Sequence, residues 1–189
     1  MARALRILFL SNRGLLPITD GHTRRSFNIL KGLSKSNQVY YLSFYESSEE
    51  IERRNVKELE SFCSKVEFLP APSKTISFPM LVRLIGSLFS TEAYTIWRHY
   101  SKDFAKRVKE LISSGEFDLI HCDILPLAYA VRNDSTIFRT LTDHDVSFIK
   151  SARMAADSKN ILIKIFLYLE SWKLKKLESK IFKQVDLGV

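Results

Sequence analysis

The chain predicts an α/β protein: a Rossmann-like, doubly wound, mostly parallel sheet with helices on both faces. Three observations carry this reading. Leu5 to Leu10 is a short, nearly continuous apolar run, the pattern of a strand buried on both faces. Short apolar runs then alternate with segments of helical periodicity, in the order β-α-β-α-β-α-β-α-β-α-β. Polar loops carrying Gly, Asp and His follow several of the runs, where strands of such sheets end and ligands bind.

Element by element, Leu5 to Leu10 is the first strand. The loop after it holds Gly14, Pro17 and Asp20-Gly21, and a helix follows from about His22 with Phe27, Leu30 and Leu33 on one face. Val39 to Phe44 returns as a strand. Ser47 to Ser64 reads as a helix with Ile51, Val56, Leu59 and Phe62 inward, Ser47 or Ser48 as its cap, and Glu49 and Glu50 in the first turn, where the helix dipole favours them. Val66 to Leu69 is a short strand closed by Pro70-Ala71-Pro72. Pro79 opens a short apolar helix around Arg83. Thr91 to Ser114 reads as one longer helix with Phe104, Val108, Leu111 and Ile112 inward, stopped at Gly115. Phe117 to Cys122 is a strand, Ile124 to Val131 a short helix, and Thr136 to Thr142 a strand that runs into Asp143-His144-Asp145. A helix begins near Ser147, a long one covers about Lys159 to Lys183, and Val185 to Val189 is a final strand, expected to be buried. The crossovers should be right-handed.

At 189 residues the chain is long enough for one domain with a substantial core. Cys63 and Cys122 show no metal-ligand spacing, which fits a reduced, cytoplasmic protein. The apolar run after Arg3 and Arg6 stops at Ser11 without a small-residue cleavage site, so it does not read as a signal peptide. No stretch reaches the roughly 18 apolar residues of a membrane span. The net charge of +8 fits an anionic partner such as lipid headgroups or a phosphorylated substrate. Nucleic acid ranks last, because neither a helix-turn-helix pattern nor an aromatic RNA-binding signature is present.

Three loops should meet at one sheet edge: Asn12 to His22, His121 to Asp123, and Asp143 to Asp145. Asp20-Gly21-His22 with Arg24 and Arg25 has two readings. One is a turn and helix cap with solvated arginines. The other is close backbone approach to a phosphate or sugar at the helix N-terminus, with an arginine as counter-charge. His121 and His144 could each be a partly buried structural histidine or a site residue. Asp143 and Asp145 flank His144 and could orient its ring. No metal is expected, since His144 with two neighbouring aspartates lacks a third ligand at standard spacing. The dinucleotide and P-loop fingerprints and the G-x-S-x-G elbow are absent, so no cofactor is expected and an NAD enzyme or α/β-hydrolase is disfavoured. The long helix NILIKIFLYLESWKLKKLESKIFKQ reads first as a core helix packed on the sheet. Its second reading is a basic face, Lys173, Lys175, Lys176, Lys180 and Lys183, laid on anionic lipid, with the Arg83 segment as the other candidate.

ILFLSNRGLLPITDGHTRRSFNILKGLSKSNQVYYLSF, then FDLIHCD, TLTDHDV and ESWKLKKLESKIFKQVDLGV, together resemble the acceptor-side, N-terminal half of family 4 glycosyltransferases of the GT-B fold. The similarity covers nearly the whole chain, through loose motifs in a fairly specific order. It implies a retaining hexosyltransferase, cytoplasmic or peripheral on the inner membrane face. The nucleotide-sugar donor would bind mainly to a second domain, and a glycan or lipid-linked acceptor mainly to this one. Residues 1–189 would then be a single Rossmann-like domain. The donor-binding basic residues and an E-x7-E element would belong to the second domain outside it. By the same resemblance Gly21 matches the glycine-loop position facing the donor phosphates. His144 matches the histidine near the transfer centre, and His121 a polar residue of the cleft edge. His22 stands where the family often has a second glycine.

Overall fold

The structure, a computed structural model, describes residues 3–45, 56–72, 78–133 and 136–188, and only the backbone of 78–83. Six strands, β1 (Arg6–Leu10), β2 (Gln38–Tyr45), β3 (Lys65–Pro70), β4 (Leu119–Cys122), β5 (Phe138–Leu141) and β6 (Leu187–Gly188), form one sheet in the order β3-β2-β1-β4-β5-β6. Every pairing is parallel. Helices α1 (Gly21–Ser34), α2 (described at residues 56–60), α3 (Phe78–Phe89), α4 (Tyr94–His99), α5 (Lys102–Ser113), α6 (Leu125–Ala130), α7 (Ser147–Asp157) and α8 (Ile161–Phe182) complete the chain. This is a Rossmann-like doubly wound fold.

The central strand shows why both faces are covered. Successive side chains of a strand point to opposite faces. Ile7 and Phe9 therefore enter a core with Phe27 and Leu30 of α1 and Leu59 of α2, while Leu8 and Leu10 enter a second core with Phe104, Val108 and Leu111 of α5 and Ile181 of α8. Cys63 and Cys122 are free, buried thiols in these two separate cores. The chain moves outward from β1 through β2 to β3, then returns to β4 on the other side of β1. The β1/β4 boundary is thus the topological switch point, where such sheets open a crevice beyond their strand ends.

Four expectations change. The helix expected over Thr91 to Ser114 is two helices, because Tyr100 and Ser101 take extended backbone (ψ 127° and 128°) and the Ser101 hydroxyl caps α5 by accepting from Phe104 N at 3.3 Å. The final strand is not buried: β6 is a two-residue edge strand paired on one side only, and Leu187 is 54% exposed. α8 is a core helix only in its C-terminal half, where Leu174 and Ile181 are buried, whereas Ile161, Leu162, Ile163 and Ile165 are exposed. Lys173 is not on the polar face. It is buried, and its Nζ donates to Ser87 O of α3.

α8 also uses its two inward glutamates as caps. Glu170 accepts from Tyr94 N (2.9 Å), Thr95 N (2.8 Å) and Thr95 Oγ1 (2.9 Å) at the start of α4, and Glu178 accepts from Phe148 N (3.2 Å) in the first turn of α7. A carboxylate there meets backbone donors that a helix cannot satisfy itself. The proposed caps Ser47 and Ser48, with Glu49, Glu50 and Ile51, lie outside the described residues, as do the Arg83 side chain and Val189. Among the described residues no helix is long and apolar enough to cross a membrane.

Candidate functional site

The three loops converge at the switch point, and their hub is Asp123. It follows β4 directly and is fully buried. His144, after β5, places Nε2 3.0 Å from Asp123 Oδ1. His22, in the first turn of α1, places Nε2 3.3 Å from Asp123 Oδ2. The Ser11 hydroxyl, just past β1, lies 3.3 Å from Oδ2. Ser26 Oγ, one turn after His22 on the same face of α1, is 3.1 Å from His144 Nε2. The two imidazoles stack, with centroids 3.9 Å apart and planes inclined by 24°. Burial pushes the Asp123 carboxyl upward, but the hydrogen bonds from His144, His22 and Ser26 outweigh it and hold the group below the usual carboxylate range.

The ligand-capable atoms of His22, Asp123 and His144 lie within 4.8 Å of one another, so these three could hold a metal ion. The third ligand that sequence spacing lacks is supplied by the fold. In the structure the three groups satisfy one another by hydrogen bonds.

A cavity of about 370 Å³ opens beside the cluster, between α4, α7 and α8. Asn12, His22, Asp143, His144 and Asp145 line it together with Thr95, Arg98 and Lys150. Asn12 Oδ1 and His144 Nδ1 are buried and have no hydrogen-bond partner among the described residues. In the tautomer that donates Nε2–H to Asp123, both are acceptors lacking a donor.

The remaining sequence-proposed residues divide. Asp143 joins the site edge, and burial raises its carboxyl to about 6. Asp145 is exposed and paired with Lys150 at 2.9 Å. His121 lies within β4, buried behind the cluster. Its Nδ1 is 2.9 Å from Thr140 Oγ1, its ring packs on Phe9, and burial pushes it down to about 4. Arg24 and Arg25 are exposed on α1 and line no part of the cavity. Gly21 does not have the left-handed backbone that would demand glycine; a Cβ there would meet nothing within 4 Å. The N-terminus of α1 is occupied by its own cap. Asp20 Oδ1 accepts from Thr23 N at 2.8 Å and Thr23 Oγ1 closes a capping box, so the anion expected at this helix end is Asp20 itself.

Sequence reasoning assigned no role to Asp123, Ser26, Arg98 or Lys150. Asp123 had a signal, a carboxylate immediately after a buried strand; Ser26 had only its i+4 spacing from His22. Glu170 and Glu178 themselves carry an E-x7-E spacing, but on this chain both serve as helix caps.

Glu178 sits near Asp143, and burial, followed by repulsion from Asp143, raises its carboxyl to about 7. Both acids hold a proton more tightly folded than unfolded. The folded state binds the extra proton between about pH 4 and 7, so this pair's contribution to stability falls as pH rises through that window. Glu178→Gln is expected to raise Tm over the parent protein at pH 8 and to lose that advantage near pH 4. Thermal melts at several pH values check this, and a uniform loss at all pH values would show that capping of Phe148 outweighs the charge.

No protein-family model matches the chain, and neither the curated proteins nor the solved structures yield a match.

Proposed function

We propose that this chain is the acceptor-binding domain of a retaining glycosyltransferase. The enzyme would move a sugar from a nucleotide-sugar donor to a glycan or lipid-linked acceptor. The observation that carries the reading is the meeting of His22, Asp123 and His144 at the switch point, with His22 and His144 on the wall of a cavity that Asn12, Thr95 and Arg98 also line. The amide, hydroxyl and guanidinium groups of Asn12, Thr95 and Arg98 are the kinds of group that hydrogen-bond sugar hydroxyls. The order of the loops in the chain supports the same reading, since it is that of the family the sequence resembles. In the reaction the bond from the anomeric carbon to the diphosphate oxygen breaks and the bond to the acceptor oxygen forms. The hydroxyl proton leaves with the nucleoside diphosphate. In this reading His144, which Asp123 holds by a hydrogen bond, acts at the transfer centre, and Asn12, Thr95 and Arg98, which line the cavity, contact the acceptor.

A second reading, a non-catalytic module gripping an anionic partner, draws on Arg98 and Lys150 in the cavity wall. One experiment separates them. The chain alone is expected to bind saccharide acceptors but not to turn over nucleotide sugars, while a protein in which it is joined to a donor-binding domain transfers. Saccharide binding is read by ligand-observed NMR, and turnover by nucleoside diphosphate release. Robust turnover by the chain alone would overturn the division of labour. Binding of inorganic phosphate without saccharide binding or transfer would favour the module.

A further inference from the structure

Among the described residues, the N-terminal half of α8 has a face that nothing covers. The geometry of its partners shows where that half stands. Ser171 Oγ donates to Phe148 O at 2.8 Å, and Ser151 Oγ donates to Leu167 O at 3.0 Å. α7 therefore runs antiparallel to α8 as a hairpin. α7 starts just past the C-terminal end of β5, so the hairpin extends beyond the sheet at the edge that carries the site.

On the projecting half, Ile161, Ile165, Tyr168 and Trp172 follow one another at i, i+4, i+7 and i+11 and thus share one helix face. They are 65%, 59%, 48% and 54% exposed. Leu162 and Ile163 extend the apolar surface at the helix start, and Met154 is exposed on α7. Isolated exposed apolar residues are ordinary; a continuous stripe is a contact surface.

Charge decides what would cover it. Lys159 and Lys164 flank the start of the stripe and Lys175 and Lys176 its end, and Lys176 Nζ lies 3.6 Å from the Trp172 ring. No carboxylate occurs between Asp157 and Glu170, and Glu170 is turned inward to cap α4. A second copy docked on this stripe would bring its own lysines to the same seam. An anionic bilayer instead offers apolar depth for the isoleucines, a headgroup level for Tyr168 and Trp172, and negative charge for the lysines.

We propose that the α7–α8 hairpin docks this protein on an anionic lipid surface through Ile161, Ile165, Tyr168 and Trp172, with Lys164 and Lys176 on the headgroups. The contact lies on α8 rather than on the lysine run Lys173 to Lys183 as a whole, because Lys173 is buried. It rests on a different observation from the transferase reading and stands if that reading fails. Where both hold, docking turns the site edge toward lipid-linked acceptors.

The test is cosedimentation with vesicles of phosphatidylcholine, with or without phosphatidylglycerol, at low and high salt. Binding is expected only with phosphatidylglycerol at high salt-sensitivity. Lys164→Glu and Lys176→Glu should each weaken it about fivefold or more. Ile165→Glu and Trp172→Glu should abolish measurable binding, with circular dichroism confirming the fold; Ile161→Glu, at the most exposed end of the stripe, repeats the test where folding is least at risk. Equal sedimentation on neutral and anionic vesicles, or none on either, would overturn the proposal. So would an oligomer that Ile165→Glu converts to monomer with no change in vesicle binding.

Discussion

Asp123→Ala is expected to cost about 3 kcal/mol or more, the largest stability effect of any single change at the site. Asp123 is fully buried and faces His144 at 3.0 Å, His22 at 3.3 Å and the Ser11 hydroxyl at 3.3 Å. Removing the carboxylate leaves a void between two imidazoles; His22 Nε2 loses its acceptor, while His144 Nε2 keeps Ser26 Oγ at 3.1 Å and the Ser11 hydroxyl keeps Arg13 O at 3.0 Å. For a domain of this size the loss corresponds to a fall in Tm of roughly 6–12 °C. Asp123→Asn should cost less, because it keeps the volume and one acceptor oxygen. Urea unfolding of the two variants checks the order. A neutral or stabilising Asp123→Ala would show that the cluster is strained and held together by the surrounding fold instead.

The second large effect is on rate. On the transferase reading proposed above, and in a protein that joins this domain to a donor-binding domain, His144→Ala is expected to lower sugar transfer by about a hundredfold or more at saturating donor and acceptor, as loss of a positioned polar group in a transition state typically does. The side chain is only 7% exposed and bonded to Asp123, so some stability is lost as well, and rates must be compared per folded molecule. His121→Ala is the contrast. That ring is packed between Phe9 and Thr140 behind the cluster, so its loss should lower Tm and leave the rate of the folded protein nearly intact. Equal rates for His144→Ala and the parent protein would make His144 structural and remove the basis for its catalytic assignment.

The two histidines show how far the site was legible. Both stand at or near the end of an apolar strand, and nothing in the sequence ranks them. His121 lies within β4, in register with Phe9, so the alternation of the strand commits its ring to the packed face. Asp123 and His144 lie past the ends of β4 and β5, where the ladder stops and side chains can turn toward the switch point. Two residues along the chain, from His121 inside β4 to Asp123 just past its end, separate core from site. The same holds for the lysines of α8: a basic helix face could be read, but not that Lys173 turns inward to Ser87 O.

The sequence by itself determined the layered architecture and most elements. A continuous apolar strand such as Ile7 to Leu10 needs cover on both faces, and helical stripes such as Phe104, Val108 and Leu111 supply it, so local pattern suffices. The capping of α1 by Asp20 is local too, with its partner Thr23 three residues away. Only the tertiary structure decided the capping of α4 at its start, the exposure of β6, the pairing of His22 with His144 through Asp123, and the face of α8 left uncovered among the described residues. Each depends on groups far apart in sequence: Glu170 reaching Tyr94 and Thr95, β5 flanking β6 on one side only, His22 meeting Asp123 across the switch point, and α7 covering one side of α8 but not the other. Periodicity reports which residues seek burial, and the geometry of the folded chain decides which of them find a partner.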